Sequence, residues 1–291
     1  MHSYILAVIL GIVEGLTEFL PVSSTAHLRI SEALLGIDLG NGYWKMFSIV
    51  IQLGAILCLP IYFRSRIAQF FSTFPQGKRG DRNIVTHPVS LTLIAFVCTA
   101  GPAFLLTKVI GKHLESLYIM GMSLVIGGIV MWVVDYLYDR GVVAPEGRRT
   151  EDMDQMSLGQ AVWIGLWQIT SAVFPGTSRS MSTIASGQVA NMSRSAALEF
   201  SFFLSIPTMI VATCYEAYKT MLPHKGVPPI GAGPANAEQW ITLAIGFVVS
   251  FLVAYVVVAW FMHWVRKHGF VPFAIWRLIV GAFVLLWMVK H

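Results

Sequence analysis

Six apolar stretches, each about as long as a helix that crosses a bilayer, recur along the chain and limit what it can fold into. A spanning helix needs about 20 consecutive apolar residues. The stretches are 44–63, 88–109, 117–138, 196–218, 240–264 and 270–289. Charged residues make up only 12% of the 291 residues, against about 25% in a soluble domain. The sequence therefore predicts an all-α polytopic membrane protein.

The basic residues give the chain a net charge of +5, but they do not indicate a nucleic-acid-binding protein. They lie in short segments between apolar stretches rather than along one continuous surface. Ten of the 20 follow the first, third and fifth span, more than lie in the loops on the opposite side, and by the positive-inside rule this places those three loops in the cytoplasm. The three cysteines lie singly inside apolar stretches, so they are interpreted as packing residues and not as a zinc or disulfide site.

Two further apolar stretches are interrupted and do not fit the pattern of a span. The stretch 4–20 contains two glutamates and stops at Pro21, and the stretch 157–174 contains Gln168 and stops at Pro175. A short segment rich in Ser and Thr follows each of them. A helix, a proline break and a second helix are typical of a re-entrant hairpin, so we expect two re-entrant helix pairs beside the six spans.

The second half of the chain repeats the first at an offset of 154 residues, the separation of Gly11 from Gly165. Each half then contains one hairpin and three spans. Because three is odd, the second half must enter the membrane upside down. The sequence predicts one membrane domain, 1–291, made of inverted repeats at about 2–137 and 156–291. Further pairs at the same offset are Pro21 with Pro175, and Ser24 with Ser178.

Glu14 and Glu18 of the first hairpin are four residues apart, so they share one helix face. A carboxylate at membrane depth costs at least ~2.5–3.5 kcal/mol and is by default a functional candidate. The alternative is a pair of buried hydrogen-bonding groups that brace the hairpin. Their position beside a cluster of hydroxyls favours a functional role.

The segment after Pro21 predicts an anion site at a helix N-terminus. Ser23 is placed to cap the second helix, whose free N–H groups and positive dipole end attract an anion. His27 lies one turn after Ser24, where it could take the hydroxyl proton or give a proton to a leaving group. The alternative is a capping serine and a histidine that is satisfied in the core.

The second hairpin surrounds one arginine, Arg179, with hydroxyls in the run PGTSRSMST at 175–183. The planar guanidinium suits a phosphate, although an ion pair with Glu14 or Glu18 is the alternative. Arg277, midway along the last span, lies in no motif and is expected only to support the site. The predicted phosphate-binding residues are Ser23, Thr25, Gly176, Thr177, Ser178, Arg179 and Ser180.

Asp135 and the loop 139–154 have plainer interpretations. An acid inside a span can be explained by hydrogen bonds between helices. The loop carries charges of both signs and is predicted to be a solvated linker between the repeats, without a chemical role.

The chain resembles the bacterial undecaprenyl-diphosphate phosphatases, also called bacitracin-resistance proteins, over essentially its full length. The resemblance rests on EGLTEFLPVSSTAH at 14–27, PGTSRSMST at 175–183 and RSAALEFSFFLSIPTM at 194–209. It implies a ten-helix fold of six spans and two re-entrant pairs. Ala26 and Met181 stand where the family usually has Gly, and Met181 bears on the shape of the pocket. The functional residues it implies are Glu14, Glu18, Ser24, His27, Ser178 and Arg179.

The resemblance implies a hydrolase in the bacterial inner membrane, with its active site facing the periplasm. It would release phosphate from undecaprenyl diphosphate, recycle this lipid carrier for peptidoglycan synthesis and confer bacitracin resistance. Ser24 is the candidate nucleophile, with direct attack by water left open, and His27 the general acid or base. Glu14 and Glu18 would hold Mg²⁺ or Ca²⁺, or orient His27.

A transporter or flippase of polyprenyl phosphate lipids is the rival interpretation. Inverted repeats and helices broken near the midplane are features of transporters. The paired glutamates and the serine–histidine spacing favour chemistry over transport. Membrane lipids surround the chain in either case, and the sequence leaves open whether two copies form a homodimer.

Overall fold

The computed structural model describes residues 3–38, 40–106, 116–221 and 233–290, and this part of the chain is built of helices and loops. Its α-helices are α1 (Ser3–Thr17), α2 (Ser24–Leu34), α3 (Gly42–Tyr62), α4 (Arg64–Ser72), α5 (Pro88–Leu105), α6 (Leu117–Asp139), α7 (Leu158–Val173), α8 (Arg179–Val189), α9 (Arg194–Met221), α10 (Ala237–Trp264) and α11 (Val271–Lys290). A short 3₁₀ helix, Met153–Gln155, precedes α7.

Six of the described helices are long and apolar enough to cross a membrane: α3, α5, α6, α9, α10 and α11. This confirms the six predicted spans. The capping residues explain where several of them begin, since the Asn41 side chain accepts the Tyr43 N–H at 2.9 Å at the start of α3. The predicted end of the second span, Val109, lies outside the described residues.

Both interrupted stretches form two helices separated by a turn. The first breaks between Thr17 and Ser24, and the second between Val173 and Arg179. The breaks predicted at Pro21 and Pro175 are therefore confirmed. Proline has no backbone N–H and clashes with the preceding turn, so neither helix continues through it. That each helix pair is re-entrant stays a prediction.

The broken helices pack against spans of the opposite half of the chain. A Cβ at Gly11 of α1 would lie 2.8 Å from the carbonyl oxygen of Gly246 on α10. A Cβ at Gly165 of α7 would in the same way overlap the carbonyl oxygen of Ala95 on α5. Only glycine permits such close approach of two helix backbones. The two contacts use positions that correspond at the 154-residue offset, and the inverted orientation of the halves stays a prediction.

Aromatic packing fixes the first break against the spans. Phe19 meets Phe202 of α9 edge to face, with ring centroids 5.5 Å apart, and Phe202 in turn lies 6.3 Å from Phe261 of α10. All three rings are fully buried. Such edge-to-face contacts stabilise a pair beyond its area burial. Because Glu18 directly precedes Phe19, this packing also positions the Glu18 carboxylate.

Arg66 of α4 anchors the loop between the halves. Its guanidinium pairs with Asp152 at 2.6 Å, Asp154 at 2.9 Å and Glu199 at 2.9 Å. Burial alone would raise the pKa of Asp152, but the Asp154 N–H and Arg66 lower it overall. The prediction of a merely solvated linker is therefore wrong at its C-terminal end, because the five-donor fork of an arginine can hold several carboxylates at once. Helix α4 also adds one helix to the ten that the family resemblance implies.

Asp135 of α6 joins three helices, as expected for an acid inside a span. Its buried carboxylate accepts hydrogen bonds from Arg194 Nε at 2.8 Å and from the Phe270 backbone N–H at 2.7 Å. Arg194 begins α9, and Phe270 directly precedes α11. The interpretation of Asp135 as a residue that bonds helices together is confirmed.

Candidate functional site

The two helix breaks lie against each other in the centre of the fold. The Ser180 hydroxyl of α8 donates to the carbonyl oxygen of Leu20 at 2.9 Å. Arg277 of α11 donates to Pro21 O and to Gly176 O, each at 3.2 Å. The prediction that the breaks are close together is confirmed.

Arg277 is fully buried and joins the two breaks through backbone carbonyls. Its third hydrogen bond reaches Ser123 O on α6 at 2.9 Å. Sequence reasoning gave it only a supporting role because no motif surrounds it. The available signal was an arginine midway along a span, which is rare unless it has a defined partner. Here two of the three partners, Pro21 O and Gly176 O, are backbone carbonyls of the breaks, which lie outside the helices.

A cavity of about 240 Å³ opens between the breaks, well above the volume that a single bound water needs. Its wall contains most of the residues that the sequence singled out. From the two hairpins it is lined by Glu18, Ser23, Ser24, Thr25, Gly176, Ser178 and Arg179. The surrounding helices add Gln52, Thr99, Gln168, Thr208 and Thr213.

Ser24 and Glu18 form a short hydrogen bond inside this cavity. The Ser24 hydroxyl donates to Glu18 Oε2 at 2.5 Å, and both side chains are buried. The other carboxylate oxygen, Oε1, lies 3.6 Å from Arg179 Nη2, so the alternative of an arginine–glutamate ion pair is realised. Arg179 also donates from Nη1 to the carbonyl oxygen of Ser201 at 3.2 Å. A hydroxyl, a proton acceptor and a guanidinium therefore converge on one space.

Glu14 lies one helical turn before Glu18 and is 1% exposed. Neither of its carboxylate oxygens has a hydrogen-bond partner among the residues described. Buried polar atoms are nearly always paired, so each exception needs an explanation. The unpartnered oxygens of Glu14, one turn from the Glu18 carboxylate, are ligands of the kind that suits a hard cation.

His27 contacts groups other than Ser24. Its Nδ1 lies 2.8 Å from Ser23 O, and Trp276 Nε1 lies 2.8 Å from its Nε2. Because an indole nitrogen can only donate, Nε2 accepts and Nδ1 carries the hydrogen that is given to Ser23 O. The structure thus pairs Ser24 with Glu18, whereas the sequence suggested His27, and His27 holds the backbone of the preceding turn.

The N-terminal serines of the two second helices differ. Ser178 caps α8 by accepting the Met181 N–H at 3.4 Å. Ser23 occupies the matching position before α2 but makes no capping hydrogen bond with its side chain. Its predicted capping role is therefore wrong. Both serines have a positive φ, 74° at Ser23 and 71° at Ser178, but only the Ser178 side chain accepts an N–H of the helix that follows.

Gly176 allows the second break to turn sharply beside α6. It has φ of 92°, and a Cβ built there would lie 2.6 Å from the carbonyl oxygen of Met120. An L side chain at this position would be strained and would also collide with that backbone. Glycine at position 176 is therefore required by its surroundings.

Two of the predicted phosphate-binding residues lie away from the cavity wall. The Ser180 hydroxyl is buried, donates to Leu20 O, and lies 3.1 Å from Ser178 Oγ, so its hydrogen bonds are made within the protein. Thr177 lines a separate apolar cleft of about 360 Å³ between α6, α7 and α8. Met181 lines the same cleft, so its side chain does not narrow the cavity that contains Ser24.

The comparison with protein families agrees with this geometry. The model described as "Bacitracin resistance protein BacA" matches residues 7–283, a range that begins within α1 and ends within α11. The chain belongs to this family.

Known relatives match the chain from end to end. A protein of Koribacter versatilis, named undecaprenyl-diphosphatase, is 68% identical over 294 residues, which cover 100% of both chains. Two more BacA relatives carry the same name. The one from Caldanaerobacter subterraneus is 39% identical over 98% of this chain and 96% of its own. The one from a Bradyrhizobium species is 40% identical over 98% of this chain and 97% of its own.

Proposed function

We propose that this chain is a membrane phosphohydrolase that converts undecaprenyl diphosphate to undecaprenyl phosphate and inorganic phosphate. The observation that carries the proposal is the 2.5 Å hydrogen bond from Ser24 to Glu18, beside Arg179 in a cavity lined by several hydroxyls. An activated hydroxyl next to a phosphate-binding cation is the arrangement that nucleophilic phosphoryl transfer needs. The name shared by the relatives supplies the substrate.

Ser24 is the proposed nucleophile. Its Oγ attacks the terminal phosphorus while the bond from that phosphorus to the bridging oxygen breaks. The Oγ proton moves to Glu18 Oε2, the nearest acceptor, and passes to the departing undecaprenyl phosphate. In a second attack a water oxygen bonds to phosphorus, phosphate leaves, and one water proton returns through Glu18 to Ser24.

Arg179 and the hydroxyls of the cavity bind the reacting phosphate. Arg179 Nε is buried and has no hydrogen-bond partner among the residues described, so it is available as a donor, whereas Nη2 faces Glu18 Oε1 at 3.6 Å. Preorganised donors stabilise the charge on the equatorial oxygens in the transition state. Ser23, Thr25 and Ser178 line the same cavity. Ser23 and Thr25 supply further hydroxyl donors, whereas Ser178 donates to Ser180 Oγ, because the Ser180 proton goes to Leu20 O.

His27 has a positioning role in this scheme. Its hydrogen bond to Ser23 O holds the residue directly before the nucleophile, and Trp276 holds the ring in turn. The positive φ of Ser23 is a sparsely populated conformation, which persists only where surrounding contacts maintain it. His27 therefore determines where the Ser24 hydroxyl points.

Glu14 and Glu18 are the residues that would hold a divalent cation, Mg²⁺ or Ca²⁺. The unpaired carboxylate oxygens of Glu14 support this placement. A bound ion would supply positive charge beside the phosphate oxygens. Within the described residues no third His, Cys, Asp or Glu joins the two, so the remaining ligands would be water and phosphate oxygens.

The proposed location is the bacterial inner membrane, with the cavity reached from the periplasm. Arginine-rich segments such as Arg64 and Arg66 flank the spans on the side predicted to be cytoplasmic. In this role the enzyme recycles the lipid carrier for peptidoglycan synthesis and thereby confers bacitracin resistance.

Phosphate release by the purified chain tests the proposal. In detergent with undecaprenyl diphosphate, we expect one phosphate per undecaprenyl phosphate formed, with activity that falls on chelation and returns with Mg²⁺ or Ca²⁺. Ser24→Ala serves as the inactive control. Movement of labelled undecaprenyl phosphate across vesicles without any phosphate release would favour the flippase instead.

A further inference from the structure

Gln52 of α3 contributes a polar amide to the cavity wall from within an apolar span. The hydrogen bond that the structure gives this side chain comes from Thr213 Oγ1 of α9, which lies 3.5 Å from Gln52 Oε1. Hydroxyl hydrogen bonds are usually about 2.5–3.0 Å long, so this one is weak. Polar side chains inside a membrane are costly and usually have a function. A weak bond between two helices does not explain an amide at this position.

The amide nitrogen of Gln52 is the group left for a ligand. Thr213 is buried, lines the same cavity and engages the amide oxygen. The nitrogen, Nε2, carries two hydrogens and has no hydrogen-bond partner among the residues described. The Gln52 side chain is only partly buried. It therefore adds an N–H donor to the cavity, and such a donor suits an anion.

The cavity opens next to Thr213. Among the residues of its wall, Thr25 and Ala212 are exposed, whereas the others are buried or partly buried. Ala212 directly precedes Thr213, and Met209, one turn earlier on α9, also lines the wall. These two apolar side chains give the mouth at α9 an apolar surface. A lipid tail that leaves the cavity for the bilayer passes there.

The cavity has room for a second phosphate beyond the one held at the breaks. Its volume is about 240 Å³, whereas about 10–15 Å³ is enough for one water. Ser24 and Arg179 act on the terminal phosphate in the proposed reaction. The second phosphate of a lipid diphosphate lies between the terminal phosphate and the tail. With the tail at the α9 mouth, the second phosphate lies on the side of Gln52 and Thr213.

We infer that Gln52 donates a hydrogen bond to the lipid-linked phosphate of the substrate and so makes the site prefer a diphosphate to a single phosphate. This inference rests on the proposed function and assigns a residue to the second phosphate of that same substrate. Thr213 holds the amide in place. A neutral donor binds a phosphate less strongly than a second arginine would, which allows undecaprenyl phosphate to leave after the reaction.

Steady-state kinetics of Gln52→Leu in detergent test the inference, because leucine has a similar size but no donor. KM for undecaprenyl diphosphate should rise about tenfold, the loss expected for a hydrogen bond to a charged group. Turnover at saturation should be nearly unchanged, as when binding is lost equally from ground state and transition state. The inhibition constant of inorganic phosphate, which occupies the site at Ser24 and Arg179, should stay the same. An unchanged KM, or an equal rise in both constants, would overturn the inference.

Variants of two threonines on α9 provide the controls. Thr213→Val removes the hydroxyl that holds the amide and should raise KM about threefold, whereas Thr213→Ser keeps the hydroxyl and should match the parent protein. Thr208→Val is the matched control, because Thr208 lines the same cavity but its hydroxyl already donates to Leu204 O at 2.8 Å and accepts from Gln168 at 3.2 Å. Its ratio of KM to the phosphate inhibition constant should equal that of the parent. A change in this ratio as large as that of Gln52→Leu would contradict a specific role of Gln52.

A binding measurement on an inactive protein needs neither turnover nor a change at Gln52. In Ser24→Ala, with metal ions chelated, pyrophosphate and phosphate are compared by the rise in Tm, because a ligand that binds the folded state adds stability. Pyrophosphate should bind about tenfold more tightly, through the same hydrogen bond. Adding Gln52→Leu should remove most of this difference. Equal binding of the two anions by Ser24→Ala would overturn the inference.

Phosphate release from undecaprenyl diphosphate by the unaltered protein separates the two claims. If the unaltered protein releases phosphate but Gln52→Leu leaves KM unchanged, only the role of Gln52 fails. If the unaltered protein releases none, the proposed function fails, and the inference that rests on it falls as well.

Discussion

The two hairpins share one backbone plan but carry different chemistry. Each has a helix, a proline break and a second helix that begins beside the same cavity. The first hairpin provides Glu18 and Ser24, an acceptor and a hydroxyl joined at 2.5 Å. The second provides Arg179, together with the neutral amide of Gln168. The first half is therefore equipped to move protons, and the second half is equipped to hold an anion.

This difference shows how two hairpins with the same backbone plan can divide the tasks of the proposed active site. Two copies with carboxylates would repel a phosphate, and two copies with arginine would leave no proton acceptor beside the nucleophile. Substitution at matched positions, Glu14 to Gln168 and His27 to Met181, separates the two tasks while the packing is kept. The comparison makes clear predictions, because each residue of one hairpin has a counterpart in the other.

The largest expected difference in turnover is between variants of Ser24 and variants of Ser178, two residues that correspond in the two halves. Ser24→Ala should lower turnover at least about a thousandfold, since it removes the nucleophile. Ser178→Ala removes one hydrogen-bond donor and should cost only about tenfold. Steady-state phosphate release by the two variants is the measurement. Equal losses would mean that the division of labour between the hairpins is not as described.

Glu18 is expected to show the next largest effect. Glu18→Gln keeps the size of the side chain but removes the proton acceptor, so turnover should fall about 10²–10⁴-fold, the usual contribution of a general base. Glu14→Gln should reduce turnover less at saturating Mg²⁺ and raise the metal concentration needed for half activity. Metal titrations of both variants distinguish the roles. Normal turnover by Glu18→Gln would mean that Glu18 is not the proton acceptor and that the first hairpin does not have the acid–base role described.

Arg179→Lys tests the anion-binding side of the comparison. A point charge replaces a planar fork of donors, and we expect turnover to fall about 10²–10³-fold, as when a transition-state donor is lost. Thermal unfolding serves as the control for folding. Near-normal turnover in a folded Arg179→Lys preparation would mean that Arg179 only neutralises Glu18.

The smallest expected effect concerns helix capping. Ser178→Ala removes the side-chain acceptor for the Met181 N–H and should destabilise the protein by about 1 kcal/mol. Ser23→Ala should leave stability nearly unchanged, because Ser23 makes no such bond. Denaturation of both variants in the same detergent compares them. A larger loss for Ser23→Ala would restore the capping role that the sequence suggested.

The fold was largely predictable because apolar composition indicates the bilayer spans and single prolines indicate the breaks. The six spans and the breaks at Pro21 and Pro175 required only the length of apolar stretches and the missing N–H of proline. Contacts between distant segments were not predictable in the same way. The hydrogen bonds of Arg277 to Pro21 O and Gly176 O join residues more than a hundred positions apart, and no local sequence pattern predicts them.

The candidate site was predictable in its members but not in their pairing. Sequence spacing on an ideal helix places His27 one turn from Ser24, which suggested a serine–histidine pair. The left-handed turn at Ser23 changes this geometry and directs the hydroxyl to Glu18. The ring of His27 instead meets Trp276, which is 249 residues away in sequence. Pairing depended on backbone angles that the sequence pattern does not specify.

Trapping of a phosphoryl-enzyme tests the central claim most directly. The purified protein would be mixed with undecaprenyl diphosphate labelled on the terminal phosphate, quenched in acid within one turnover, and digested to locate the label. The account predicts a phosphoserine at Ser24 that builds up before phosphate is released and is lost in Ser24→Ala. Label at Ser178, or full turnover by Ser24→Ala, would contradict it.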